Sequence, residues 1–157
     1  MIILLILSVL LSIPVTLLAI RKAKELPDSV SSFSYYIGDV LFSLWIASVA
    51  SLLLFPMLHA LPTSLVFVGG LVSAGLLMVA ASPYYRTEWK VIHYFGGYLF
   101  GVGSQIVVAI LEPWLLCLWT VFPFIFIKHE WRENATFISE AICVLSLVAS
   151  LIVSLLA

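Results

Sequence analysis

Three ionisable side chains, Asp39, His93 and Glu140, interrupt stretches of sequence that are otherwise strongly apolar. Burying such groups in hydrocarbon is costly, so ionisable residues within apolar segments are the first place to look for function. Each lies a few residues inside its stretch, and a rise of about 1.5 Å per residue puts all three about 5–8 Å below one boundary. A histidine and two carboxylates at one depth could perform acid–base chemistry, carry a proton or hold a polar ligand.

Each of these residues also has a structural interpretation. Asp39 could cap its helix or pair with Arg21 or Lys22, and His93 could bond a carboxylate or a backbone carbonyl. Glu140 could extend to Lys128 or Arg132 at the surface. Gln105, near the middle of another apolar run, is typical of a hydrogen bond between helices. The sequence leaves open whether the three ionisable groups meet.

Membrane-spanning helices must position these residues. Hydrophobic residues make up 64% of the 157-residue chain and charged residues 10%, and the mean hydropathy is +1.23. A soluble domain of this size could not bury so much apolar surface, whereas a bilayer requires roughly 20 apolar residues per crossing. Apolar runs bounded by charge or proline predict an all-α bundle of six transmembrane helices with short loops, at residues 2–20, 35–55, 61–81, 91–111, 114–127 and 136–156.

The fifth run is short. An α-helix over 114–127 covers about 21 Å, against a hydrocarbon core of about 30 Å, so the segment could be re-entrant. Charge favours a crossing, because with six spans all seven Lys and Arg residues fall in the first, third and fifth loops. By the positive-inside rule these loops are cytoplasmic, and we expect an inner- or plasma-membrane protein with both termini outside.

Small residues predict where helices approach each other. Gly97 and Gly101 form a GxxxG pattern, which allows two helix backbones to pack closely in lipid. By itself the pattern is a weak indication of dimerisation. It fits packing within the bundle, a homo-oligomer or a subunit of a larger membrane complex.

Several classes of function are disfavoured. The net charge of −1 and the scattered basic residues argue against a nucleic-acid partner. Cys117 and Cys143 fall inside predicted spans without the spacing of a zinc site, and no HExxH or GxSxG motif occurs. We therefore expect the cysteines to be small core residues, and we predict neither a metal nor a cofactor.

A basic and aromatic rim surrounds the cytoplasmic end of the predicted bundle. Basic pockets between spans on this side bind anionic lipid headgroups. The candidate headgroup contacts are Arg86, Lys90, Tyr94 and Arg132. We therefore expect a lipid-binding or membrane-organising protein, with membrane lipids as its partners. The alternatives are a proton-coupled small transporter or channel, and a membrane enzyme that modifies lipid through a His/carboxylate group.

One stretch resembles a known family. The proline-containing turn Ala81-Ser82-Pro83, followed by His93 and the glycine pair at 96–97, is similar to the six-helix DRAM/Frag/Sfk-type membrane proteins and their bacterial relatives. The resemblance covers roughly fifteen residues and the number of helices, and the first and sixth spans carry no longer matching pattern. It implies a six-helix bundle with a role near lipid handling or membrane organisation.

Overall fold

The computed structural model describes residues 1–85, 90–127 and 132–157, and everything regular within these ranges is helical. Five helices are long: α1 (Ile2–Ala23), α3 (Asp39–Ala60), α4 (Val66–Ala81), α5 (Lys90–Leu111) and α7 (Ala135–Leu156). Two are short, α2 (Phe33–Ile37) and α6 (Phe122–Ile125), and three stretches form 3₁₀ helices: Thr63–Leu65, Ser82–Tyr85 and Pro113–Val121.

Among the described residues, five helical segments are long and apolar enough to cross a membrane, each with 21 or 22 residues. This is the pattern of a helical membrane protein, and it confirms the all-α class expected from composition. The fifth predicted span instead corresponds to the shorter apolar segment Pro113–Ile125, most of which is a 3₁₀ helix.

From α1 to α5, each long helix runs in the opposite direction to the one before it. In one such antiparallel contact, the Ser43 hydroxyl on α3 donates to the Ala80 carbonyl on α4 at 2.7 Å. α7 follows the same direction as α5. At one end of the bundle α1 finishes and α3, α5 and α7 begin; we call this the loop end. The other end is called the opposite end. The start of α1, His59 at the end of α3 and Leu155 at the end of α7 together line a shallow cavity at the opposite end.

The closest approach of two helices is between α4 and α5. A Cβ atom built on Gly75 would lie 2.6 Å from the Phe100 nitrogen, and one on Gly96 would lie 2.6 Å from Met78 Cβ. By contrast, a Cβ on Gly97 or Gly101 would meet no described atom within 4 Å. The tight packing expected at the GxxxG pattern therefore lies at Gly96, because that glycine, and not its neighbour, faces α4.

An aromatic cluster closes the bundle beneath the loop end. Phe33 on α2 is fully buried, and its ring stacks on Trp45 of α3 with centroids 5.8 Å apart. Its other side meets Phe137 of α7 at 5.9 Å. Ring pairs at this separation add stability beyond the area they bury, so α2 acts as a plug that joins α3 to α7.

Gly38 separates this plug from the next long helix. Its φ of 89° and ψ of 148° place it in a region that is essentially open to glycine alone. α3 consequently begins at Asp39, whereas the sequence pattern predicted a span starting at residue 35. Asp39 is the first residue of its helix, where the partial positive charge of the helix dipole favours a carboxylate.

Candidate functional site

His93 carries the polar atom that most clearly lacks an internal explanation. Its ring is partly buried in the first turn of α5, and its Nδ1 atom is buried with no hydrogen-bond partner among the residues described. The carbonyl or carboxylate partner expected for His93 is therefore not found at Nδ1 within the described part of the chain. An unpaired buried polar atom in a native protein calls for an explanation such as a ligand, an ion or water.

The position of His93 on α5 gives the direction of its side chain. At 100° per residue, His93 lies about 60° from Gly96, which faces α4, and about 80° from Gly101 on the other side. The Gly101 carbonyl lies 3.9 Å from the Cys143 sulfur of α7. His93 therefore projects between α4 and α7, toward the interior of the loop end.

Open space lies directly beneath His93 on the same helix. Gly97 and Gly101 are one and two turns deeper, both are partly buried, and a Cβ atom built on either would meet no described atom within 4 Å. An apolar chain from a lipid is a group of suitable chemistry for that space.

Glu140 has a partner within the chain. Its Oε2 atom accepts the backbone N–H of Val30 at 2.6 Å, while Asn134 at the start of α7 donates to the Leu26 carbonyl at 2.7 Å. The backbone N–H of Phe137 adds a third bond, to the Asp28 carbonyl at 3.0 Å. Glu140 thus belongs to an anchor that fastens the chain after α1 to α7.

Asp39, His93 and Glu140 all lie at the loop end, in the first two turns of α3, α5 and α7. No hydrogen bond joins His93 to Glu140, and within the described ranges no group of three His, Cys, Asp or Glu side chains is arranged to hold a metal ion. Asp39, at the first position of α3, lies one turn from Ser43, which faces α4.

Of the four candidate headgroup contacts, Tyr94 and Arg132 have described side chains at the loop end. Arg86 lies outside the described residues, and the described backbone begins again at Lys90, the first residue of α5. Tyr94 is exposed, with its ring centroid 5.5 Å from that of His93. Arg132 is also exposed, and its Nε and Nη2 atoms donate to the Phe126 carbonyl at 3.1 and 2.9 Å. Arg132 therefore supplies hydrogen-bond donors to the backbone just after α6.

A second polar cluster, deeper in the bundle, surrounds Gln105. The Gln105 Nε2 atom donates to the hydroxyls of Ser104 and Ser146 at 3.2 and 3.1 Å. Its Oε1 atom accepts the indole N–H of Trp119 at 2.8 Å. We call Gln105, Ser146 and Trp119 the glutamine clasp. It joins α5, α7 and the 3₁₀ helix Pro113–Val121.

The clasp confirms the expected role of Gln105 as a hydrogen-bonding residue between helices. The sequence pattern did not identify Trp119 as its partner. The one available signal was distance along the chain: Gln105 and Trp119 each lie seven residues from Glu112, where the chain turns back. Residues equidistant from a tight turn between antiparallel helices lie at similar depths.

Comparisons with protein-family models, with curated proteins and with solved structures find no match. The resemblance to the DRAM/Frag/Sfk-type proteins therefore stays a prediction.

Proposed function

We propose that this chain is a lipid-binding, membrane-organising protein that crosses the membrane six times. Its lipid site is at the loop end, with the headgroup near His93 and one acyl chain beside Gly97 and Gly101. The observation that carries this proposal is the unpartnered, buried Nδ1 atom of His93 above space left open by two glycines.

The crossing proposed in addition to the five long helices is the short segment from Pro113 to Phe126, the fifth in chain order. Two contacts support its direction. The bond from Trp119 to Gln105 places the middle of the segment beside the middle of α5, and the bond from Arg132 to Phe126 places its last residues near the start of α7. The segment would therefore run from the opposite end toward the loop end.

The distribution of charge supports a cytoplasmic loop end. Arg21, Lys22 and Lys24 follow the apolar part of α1, while Lys90 and Arg132 precede the apolar parts of α5 and α7. Clusters of Lys and Arg next to spanning helices favour the cytoplasmic side. In this topology both ends of the chain are outside, in the inner or plasma membrane, and the basic residues surround the entrance to the proposed site.

The geometry gives less support to the other functions considered. A proton pathway through the membrane would use Gln105, but the clasp occupies both the amide nitrogen and the amide oxygen. An acid–base enzyme would require a partner to orient the imidazole, and Glu140 instead bonds Val30. Membrane lipids are thus the proposed partners, while association with a second copy or another subunit stays a prediction.

Native mass spectrometry of protein purified in mild detergent tests the lipid site. We expect the wild type to retain lipid in a fixed ratio, His93→Ala to lose it, and Gly97→Leu to lose it by filling the space for the chain. Gly70→Leu on α4 is the matched control, because Gly70 is also partly buried and also open to an added side chain. Equal lipid retention by all four proteins would contradict the proposal.

A further inference from the structure

The 3₁₀ helix Pro113–Val121 is unusually long. It has nine residues, whereas runs beyond three or four residues are uncommon because their hydrogen bonds are less well aligned than those of an α-helix. Most residues of the segment do not force this geometry, since leucine and tryptophan are compatible with an α-helix. The local exception is Pro123, which has no N–H to bond the Trp119 carbonyl in an α-helix; the residues before it are compatible with both helical forms.

The 3₁₀ form makes the segment longer. Its rise is about 2.0 Å per residue, against about 1.5 Å in an α-helix. The stretch Pro113–Ile125 therefore covers about 24 Å as observed and would cover about 20 Å if wholly α-helical. Because the hydrocarbon core is about 30 Å thick, the observed form brings a segment of too few residues closer to spanning it.

The segment is attached at three points. At its start the segment continues directly from α5 through Glu112, whose carbonyl accepts the Leu115 N–H at 3.0 Å as the first bond of the 3₁₀ helix. In its middle Trp119 is held by the clasp, and at its end the Phe126 carbonyl is held by Arg132. A change in helix type would alter the distance between the ends of the segment. Because the clasp fixes Trp119 against α5, the part between Glu112 and Trp119 changes length only when the bond from Trp119 to Gln105 opens.

We propose that Pro113–Ile125 adjusts its length to the thickness of the bilayer, with the 3₁₀ helix in a thick membrane and an α-helix in a thin one. Spanning segments generally answer a mismatch in thickness by tilting or by deforming the lipid; here a change in helical rise provides a third response. The inference rests on the proposed crossing of this segment. It also gives the proposed lipid site a form of regulation, because a shorter segment draws Phe126, and Arg132 with it, away from the rim.

A pair of spin labels measures the length directly. Trp114→Cys and Ile127→Cys, both at exposed positions, are labelled in a protein that also carries Cys117→Ser and Cys143→Ser. Pulsed electron paramagnetic resonance then gives the distance in short-chain and long-chain monounsaturated phosphatidylcholine bilayers. We expect the distance to be about 4–5 Å greater in the long-chain lipid.

The matched control is a second pair on the long α-helix α5, Val91→Cys with Ile106→Cys, whose distance should be the same in both lipids because α5 is α-helical throughout. A distance between positions 114 and 127 that is equally constant overturns the inference.

Labelling with a membrane-impermeant maleimide separates this failure from a failure of the topology. Trp114→Cys and Ile127→Cys are each labelled alone, in the same protein lacking the native cysteines. Reaction from opposite sides of the membrane, together with a constant distance, removes only the length adjustment. Reaction from the same side removes the crossing itself and the length adjustment with it.

Discussion

The Glu140 carboxylate and the Val30 backbone N–H are separated by 110 positions in sequence and by 2.6 Å in space. Val30 lies in the chain between α1 and α2, so this bond fastens that connection to the second turn of α7. A group that the sequence marks as a functional candidate thus has a structural role at the loop end.

The first prediction concerns this bond. Glu140→Leu leaves the Val30 N–H without its acceptor and should lower the free energy of unfolding by about 1–3 kcal/mol. Glu140→Gln keeps an oxygen acceptor and should lose less. Unfolding in mixed detergent micelles measures both variants, and hydrogen exchange at the Val30 amide should be faster in the leucine variant. Equal stability of the leucine variant and the wild type would show that the bond contributes nothing.

A second prediction concerns the coupling between Gln105 and Trp119. Hydrogen bonds between helices in membranes contribute about 0.6 kcal/mol on average and up to about 1.7 kcal/mol. We expect a double-mutant cycle of Gln105→Leu and Trp119→Phe to give a coupling energy in this range, measured from the free energies of unfolding. Thr120→Val is the neighbouring control, because the Thr120 hydroxyl bonds within its own segment, to the Cys117 carbonyl. Additive effects of the two clasp variants would contradict the observed bond.

Two adjacent glycines supply a third prediction. Gly96→Ala places a methyl group 2.6 Å from Met78 Cβ and 2.9 Å from the Gly75 carbonyl oxygen. Such overpacking typically costs about 1–3 kcal/mol. Gly97→Ala, one residue further, enters open space and should leave stability within about 0.5 kcal/mol of the wild type. Thermal unfolding in detergent compares the pair, and equal losses would mean that α4 does not pack against Gly96.

The fourth prediction isolates backbone conformation from packing. At Gly38 an added Cβ would meet no described atom within 4 Å, but the φ of 89° is unfavourable for any other residue. We expect Gly38→Ala to destabilise the protein by about 1–3 kcal/mol through this strain alone. Ser48→Ala, at an exposed position within α3, is the control and should be nearly neutral. A neutral Gly38→Ala would indicate that the break between α2 and α3 can be rebuilt without glycine.

Much of the fold could be predicted because apolar length is a direct property of sequence. The long helices near residues 2–20, 91–111 and 136–156 follow from runs that match the thickness of a bilayer. The start of α3 was harder to predict from the sequence, since Gly38 lies inside an apolar run and its left-handed φ is a property of the folded chain. The 3₁₀ form of Pro113–Val121 also left no signal in the sequence. In nine largely apolar residues there is no polar–apolar alternation that would distinguish a helix of about 3.0 residues per turn from one of about 3.6.

The sequence predicted how deep the site residues lie in the bundle, but it did not predict their partners. Sequence placed His93 and Glu140 near one end of the bundle, because depth follows from counting residues along a helix. The partners of each side chain depend on which helix faces meet. For that reason the bond from Val30 to Glu140 and the clasp at Trp119 required the structure, and the glycine pattern pointed to Gly97 where the contact lies at Gly96.

The glutamine clasp also has a consequence for biosynthesis. Gln105 leaves the ribosome before Trp119 and Ser146, yet it is these later residues that occupy its amide group. Until they arrive, the Gln105 amide nitrogen has Ser104 as a partner on α5, but the amide oxygen has none from these later residues, which is unfavourable in hydrocarbon. The newly made α5 should therefore remain beside the insertion machinery until α7 follows, so that the second half of the chain is released into the membrane as a unit.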